Sequence, residues 1–244
     1  MKVTFRVRRL APGGKGGPWW QDYPVDANAG LAVLSALYRI QDEVDGTLAF
    51  RYACRGAICG SCAMRINGVA ALACKTQVSS IAGEGGTVVL EPLLNMPVIK
   101  DLVVDQGPFF LEMRKTCPWL LNVRRRTPDE PLDYSAGKSV QELDEWRRSA
   151  YCIMCQACFS DCPKRLKDPS FIGPEACVEI FKHVCDPREA DIAGRLARAA
   201  SNGGVFDCDK HGVCVKVCPK DVRPMRAILF LQDRIKGTQG RPGG

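Results

Sequence analysis

Fourteen of the 244 residues are cysteine, and eleven of these fall into three spaced groups. The first is Cys54, Cys59, Cys62 and Cys74; the second is Cys152, Cys155, Cys158 and Cys162, followed by Pro163; the third is Cys208, Cys214 and Cys218, followed by Pro219. Thiolates are soft ligands for iron, zinc or copper, but only where thiols are kept reduced. Met1 to Leu10 sets Val3, Phe5 and Val7 against Lys2, Arg6 and Arg8. That alternation predicts a strand and lacks the apolar run of a secretory signal. No stretch of 18 apolar residues exists to span a bilayer. The chain is therefore expected to stay in the cytoplasm, with its cysteines serving as metal ligands rather than disulfide halves.

The first group has the C-x4-C-x2-C…C spacing of plant-type 2Fe-2S proteins. Gly56, Ala57, Gly60, Ser61 and Ala63 are small enough to let backbone N–H groups approach the sulfurs, and Arg55 adds positive charge beside an electron acceptor. A zinc site is the alternative, for which the spacing from Cys54 to Cys59 is atypical. The second group is the C-x2-C-x2-C-x3-C-P run of bacterial ferredoxins, whose fourth cysteine serves the other cluster of a pair. The third group repeats that run with His211 at the second cysteine position. By the crossed rule, Cys152, Cys155, Cys158 and Cys218 form a complete 4Fe-4S set, leaving Cys162, Cys208 and Cys214 as three ligands. Three thiolates suit a 3Fe-4S cluster facing His211, with a raised potential matched to an oxidising partner such as quinone. Alternatively His211 is the fourth ligand of a second 4Fe-4S cluster. Cys177 shares an apolar helical face with Ile180, Phe181 and Val184 and reads as a buried small hydrophobe; Cys117, Cys185 and His183 receive no chemistry.

These groups need scaffolding of two kinds. Val3–Arg9 reads as a strand, Leu10–Pro18 as a loop or hairpin tip, and Leu31, Leu34, Leu37 and Tyr38 as one face of a helix capped at Asp26 or Asn28 and ending at Gly46. Strands are predicted at Ile66–Val69 and Thr87–Leu90, completing an α+β unit that ends near Asp105. The remainder reads as helical. A capping box pairs Ser139 with Glu142 ahead of Val140, Leu143 and Trp146. Pro174 and Pro187 open helices near 174–185 and 187–200, the second stopped by Asn202 and Gly203; Pro224 opens a last helix carrying Met225, Ile228, Leu229 and Ile235; Gly237–Gly244 reads as a disordered tail. The domains are thus expected at 1–105 and 106–244.

The net charge of +7 is scattered rather than gathered on a recognition motif, which predicts a solvated, partner-facing surface and no nucleic acid. Gly13-Gly14 and Gly16-Gly17 lack the strand-to-helix setting of a dinucleotide loop, and no nucleophile constellation is visible.

Over 1–236 the chain resembles the iron–sulfur subunit of the succinate:quinone oxidoreductase family. The resemblance rests on CRGAICGSC at 54–62 with Cys74, MPVIKDLVVD at 96–105, CIMCQACFSDCP at 152–163 and CDKHGVCVKVCPKDVRPMRAI at 208–228. It implies a β-grasp plant-type ferredoxin domain followed by an all-α bacterial-type ferredoxin domain, with 2Fe-2S, 4Fe-4S and 3Fe-4S clusters in line. It further implies a separate flavoprotein with covalent FAD that interconverts succinate and fumarate, and a membrane anchor, with or without haem b, that handles quinone. The chain would then sit peripherally on the cytoplasmic face of the cytoplasmic membrane. Ubiquinone-reducing members carry a tryptophan and a histidine where Lys167 and Asp209 stand here, so the resemblance points to menaquinone and leaves only Pro163 and His211 as neighbours of the third cluster. Subunits of heterodisulfide reductase and glycolate oxidase complexes share the helical domain, but they usually lack the plant-type loop and complete the quartet at the position of His211.

Overall fold

The computed structural model describes residues 1–121, 140–186 and 188–239, the side chains of 140–142 and 238–239 excepted. In chain order the elements are β1 (Lys2–Arg9), β2 (Trp19–Asp26), α1 (Val33–Arg39) running on into a π turn (Ile40–Val44), β3 (Ala63–Ile66), β4 (Val69–Leu72), β5 (Thr87–Glu91), β6 (Val98–Lys100) and β7 (Val103–Val104). Helices follow: α2 (Gly107–Lys115), α3 (Val140–Ser149), α4 (Ala157–Ser160), α5 (Pro163–Lys167), α6 (Pro174–Val184), α7 (Ile192–Ala200), α8 (Val213–Lys216) and α9 (Pro224–Gln239). They gather into two compact units, Met1–Pro108 with Ile153–Asp161, and Phe109–Cys152 with Cys162–Gly244. A mixed sheet fills the first and helices the second.

In the first unit the sheet runs β2-β1-β5-β3-β4, with β1 parallel to β5 and the other pairs antiparallel. The alternation of β1 turns Val3, Phe5 and Val7 inward, where they meet Leu34, Leu37 and Ile40 from the helix and Met64, Ile66, Val88 and Leu90 from neighbouring strands. Removing each such side chain from water contributes about 1.5–3 kcal/mol. Two expectations are corrected here. The strand expected at Ile66–Val69 is a hairpin, because Asn67 (φ 48°) and Gly68 (φ 80°) take the left-handed angles of a two-residue turn that Asn-Gly favours. The helix expected from Asp26 or Asn28 begins only at Val33, because the Leu31 carbonyl accepts from Val78 N–H, Ala32 bridges Gln77 and Val33 N–H donates to the Thr76 carbonyl. Those bonds hold Ala32 extended and leave Val33 as the first helical residue.

Charge is buried at one corner of this unit. Arg9 donates through Nε to Asp101 Oδ1 (2.9 Å) and through its remaining nitrogens to Asp45 Oδ2 (2.7 Å), Gln21, Thr47 and the Tyr23 hydroxyl. Asp101, only 1% exposed, also accepts from the backbone N–H groups of Leu10 (3.0 Å) and Ala49 (2.9 Å). The network ties β1, β2 and the segments around 45–49 and 101 into one piece.

In the second unit α6 is buried along most of its length and packs against α3, α7 and α9, with Phe181 edge-on to Phe230 at 5.0 Å. Arg195 of α7 is wholly buried, paired with Glu189 Oε2 (2.7 Å) and donating to the carbonyls of Thr116 (2.7 Å), Cys117 (2.5 Å) and Trp119. Pro174 and Pro224 open their helices as expected. The helix expected from Pro187 begins instead at Ile192, where Asp191 caps it by accepting from Gly194 N–H at 3.0 Å; Pro187 itself lies outside the described residues. The Ser139–Glu142 capping box also lies outside them. The last helix continues to Gln239, so Gly237 belongs to it rather than to a tail; 240–244 are not described.

Because Asn is the substitute best suited to the left-handed backbone at Asp101 (φ 47°), Asp101→Asn isolates the loss of charge. Leaving Arg9 short of its buried partner is expected to cost about 3 kcal/mol, read as a lower denaturant midpoint at unchanged slope.

Candidate metal centres

The loop from Arg51 to Cys62 bends so that its amides point at sulfur. Gly56, Ile58 and Cys59 donate backbone N–H to Cys54 Sγ at 3.4, 3.3 and 3.2 Å, Cys54 N–H reaches Cys59 Sγ at 3.4 Å, and Ala57 N–H reaches Cys74 Sγ at 3.3 Å. Cys74 N–H in turn donates to Cys62 Sγ at 3.5 Å. Arg55 (φ 57°), Ala57 (φ 56°) and Gly60 (φ 74°) supply the left-handed turns that converge these donors into an anion-holding concavity. Backbone N–H···S contacts thus connect Cys54 with Cys59 and Cys74 with both Ala57 and Cys62, and such donors suit a group carrying negative charge on its sulfurs. The three amides pull the Cys54 thiol down to about 6, while burial pushes the Cys62 thiol up to about 12. The Arg55 guanidinium lies 4.9 Å from the centre of the Tyr38 ring and 6.0 Å from that of Tyr52, so its cation is held against an aromatic pair.

The middle of the second cysteine run is part of the first unit. Asp161 accepts from Ala70 N–H of β4 (2.7 Å) and from Ser160 Oγ (2.9 Å), with Arg65 Nε 3.4 Å away. Asn95 donates to the carbonyls of Phe159 (2.8 Å) and Ser160 (3.0 Å), and Ser160 Oγ accepts from Leu94 N–H at 3.0 Å. Ile153 and Cys155 pack, partly buried, against the core of the sheet. None of these anchors was singled out from the sequence; Asp161 between Ser160 and Cys162 carries no periodic signal, and its partner Ala70 lies 91 residues away.

Backbone angles repeat between the second and third groups. Met154 (φ 51°) and Gln156 (φ 69°) precede the short helix α4 that carries Cys158; Lys210 (φ 60°) and Gly212 (φ 73°) precede α8, which carries Cys214. His211 thus stands in the local position of Cys155. In the second unit Cys162, Cys208 and Cys214 line one cleft with Pro163, His211 and Gly212. Burial raises the thiols of Cys162 and Cys208 and lifts Cys214 to about 12. His211 is half exposed at the rim, with Nε2 3.6 Å from Asp209 Oδ2. Lys167 is exposed at the end of α5. Cys177 is fully buried, as expected of a small hydrophobe; burial raises its thiol, and nearby Glu175, Cys208, Cys214 and Cys162 raise it further. Among the described residues no three His, Cys, Asp or Glu side chains converge as a lone metal ion requires.

Two family models match the chain: a 2Fe-2S iron–sulfur cluster binding domain over residues 4–111 and a 4Fe-4S dicluster domain over 144–219. The fumarate reductase iron–sulfur subunit of Mycobacterium tuberculosis is 37% identical over 227 residues, covering 93% of this chain and 90% of that protein. The fumarate reductase iron–sulfur subunit of Haemophilus influenzae is 33% identical over 233 residues, with the same two shares. Among solved structures, a chain of the Mycobacterium smegmatis Sdh1 complex in the apo form superposes with a TM-score of 0.83 at 26% identity, covering 99% of this chain and 98% of that one.

In cluster-free protein the difference between Cys54 and Cys62 is directly measurable. Alkylation by iodoacetamide at pH 7, followed by peptide mass mapping, is expected to modify Cys54 well before Cys62.

Proposed function

The chain belongs to the family of fumarate reductase and succinate dehydrogenase iron–sulfur subunits, and on that premise we propose how its thiols divide among three clusters. As a subunit of such an oxidoreductase complex it carries 2Fe-2S and 4Fe-4S binding domains and transfers electrons. In our reading Cys54, Cys59, Cys62 and Cys74 hold the 2Fe-2S cluster; Cys152, Cys155, Cys158 and Cys218 hold the 4Fe-4S cluster; and Cys162, Cys208 and Cys214 hold a 3Fe-4S cluster, with His211 and Pro163 beside it. The observation that carries this assignment is the repeated backbone around Met154–Cys158 and Lys210–Cys214, with His211 where a fourth thiolate would stand. Its imidazole faces Asp209 at the rim of the cleft, which favours three ligands over four.

Bound at these sites, iron–sulfur clusters supply carriers that take up and release one electron at a time. The protein's own part is to hold them. Backbone N–H groups around Cys54 and Cys74 stabilise negative charge on sulfur, and burial around Cys162 and Cys214 keeps water from the third site, favouring the less charged state. The mixed sheet gripping α1 supports reading 1–105 as a β-grasp domain, and the helices beyond support a helical ferredoxin domain over 106–244, although 153–161 packs with the first unit.

The partners in this reading are a flavoprotein with FAD at the succinate/fumarate site and a membrane anchor with the quinone site and, in some members, haem b. Lys167 and Asp209, standing where ubiquinone-reducing members carry tryptophan and histidine, support a menaquinone link. Among the described residues no helix is long and apolar enough to cross a membrane. By its resemblance to the family, the chain is proposed to bind peripherally at the cytoplasmic face.

Low-temperature EPR of the anaerobic complex tests the third cluster. A nearly isotropic signal in the oxidised sample that vanishes on reduction is expected; its absence, with iron and sulfide matching two 4Fe-4S clusters, would make His211 a ligand. In Cys214→Ser, turnover linked to quinone should fall at least tenfold, while dye-linked turnover at the flavin persists. Unaltered quinone-linked turnover would remove Cys214 from the ligand set.

A further inference from the structure

Gly60 sits between Cys59 and Cys62 with nothing but its backbone facing the second cysteine run. A Cβ on this residue would stand 2.8 Å from both Cα and Cβ of Cys155, a distance that real side chains essentially never show, and a tight 3.0 Å from the Ile153 carbonyl oxygen. Its φ of +74° adds a second demand for glycine. Gly68 has a similar φ of +80° but nothing within 4 Å of the same position, so left-handed backbone and close approach are separable in this fold.

The second run cannot easily retreat. Asn95 holds the carbonyls of Phe159 and Ser160, Asp161 holds Ala70 N–H, and Ile153 and Cys155 pack on the core of the same compact unit. A side chain at position 60 would therefore have to break anchors or reshape the first cysteine loop.

We propose that Gly60 is a positioning residue for electron transfer. By lacking a side chain it lets the turn between two ligands of the first cluster rest directly on Cys155, a ligand of the second, and this contact is where the electron crosses. One electron moves as one cluster is oxidised and the other reduced; no bond forms and no proton is needed. Tunnelling falls off exponentially with the thickness of the insulating layer, so an extra methyl layer at this point slows the step. The inference rests on the ligand assignment above.

The test uses the complete complex and two variants, Gly60→Ala and Gly68→Ala. Iron and sulfide are counted first, and the saturation behaviour of the reduced first-cluster EPR signal is then followed through a redox titration in which the second cluster becomes paramagnetic. In the wild type that transition is expected to speed relaxation of the signal. Gly60→Ala should retain its iron and its signal yet lose much of the speeding, and electron passage between the two clusters in a single turnover should slow. Gly68→Ala should behave as wild type in both respects. Undiminished speeding and rate in Gly60→Ala would overturn the inference, as would an equal loss in Gly68→Ala, which would trace the effect to backbone strain.

If Gly60→Ala does not retain its clusters, Asn95→Ala takes its place, loosening the second run without touching the first loop. Weakened speeding then supports the contact, and unchanged speeding overturns it. A wild-type complex whose iron and sulfide fall short of three clusters would instead refute the ligand assignment, a result distinct from either.

Discussion

Negative charge on sulfur must be met by the positive ends of backbone N–H groups, and meeting it within a tight loop forces the chain into left-handed conformations. Arg55 and Ala57 in the first loop, Met154 and Gln156 in the second run and Lys210 in the third all have positive φ without being glycine. Each such residue costs on the order of 1–3 kcal/mol and persists only where its surroundings over-determine it. The surroundings do so here. Strand β3 takes up the chain directly after the first loop, and short helices follow the strained residues of the other two groups.

The cysteine groups were legible because spacing is itself the chemistry: four thiols in one loop, or two runs that exchange their fourth member, leave few other readings. Periodicity likewise located β1, α6 and α9, whose apolar faces repeat with the period of their element. Isolated pairings were not legible. The start of α1 depends on bonds from Leu31 and Val33 to residues more than forty positions away, and the hairpin at Asn67-Gly68 was hidden inside a stretch read as one strand. Asp161, Asn95 and Gly60 left no mark in the pattern, because each acts through one contact rather than through a repeated face.

Buried charge staples both units. Arg9 joins strands and loops of the first through Asp101 and Asp45, and Arg195 gathers three carbonyls and Glu189 in the second. A guanidinium with several donors in a fixed plane suits this task, since it satisfies backbone oxygens and a carboxylate at once where an ammonium would leave some unmet. The segments around 45–49 and 116–119, which lack regular structure of their own, are thereby held in place.

The sheet's edge strand β4 has the Ala70 N–H closed off by Asp161, which is translated long after the sheet itself. During vectorial synthesis the first unit leaves the ribosome with that edge open and its Cys155 segment missing. Its final packing therefore waits on sequence that the second half of the chain supplies. Separating the two halves, by gene fission or by grafting the first onto another protein, would leave a bare strand edge for promiscuous pairing. Continuity of the polypeptide is thus part of the design: a wire whose first segment is finished only when the second has been made.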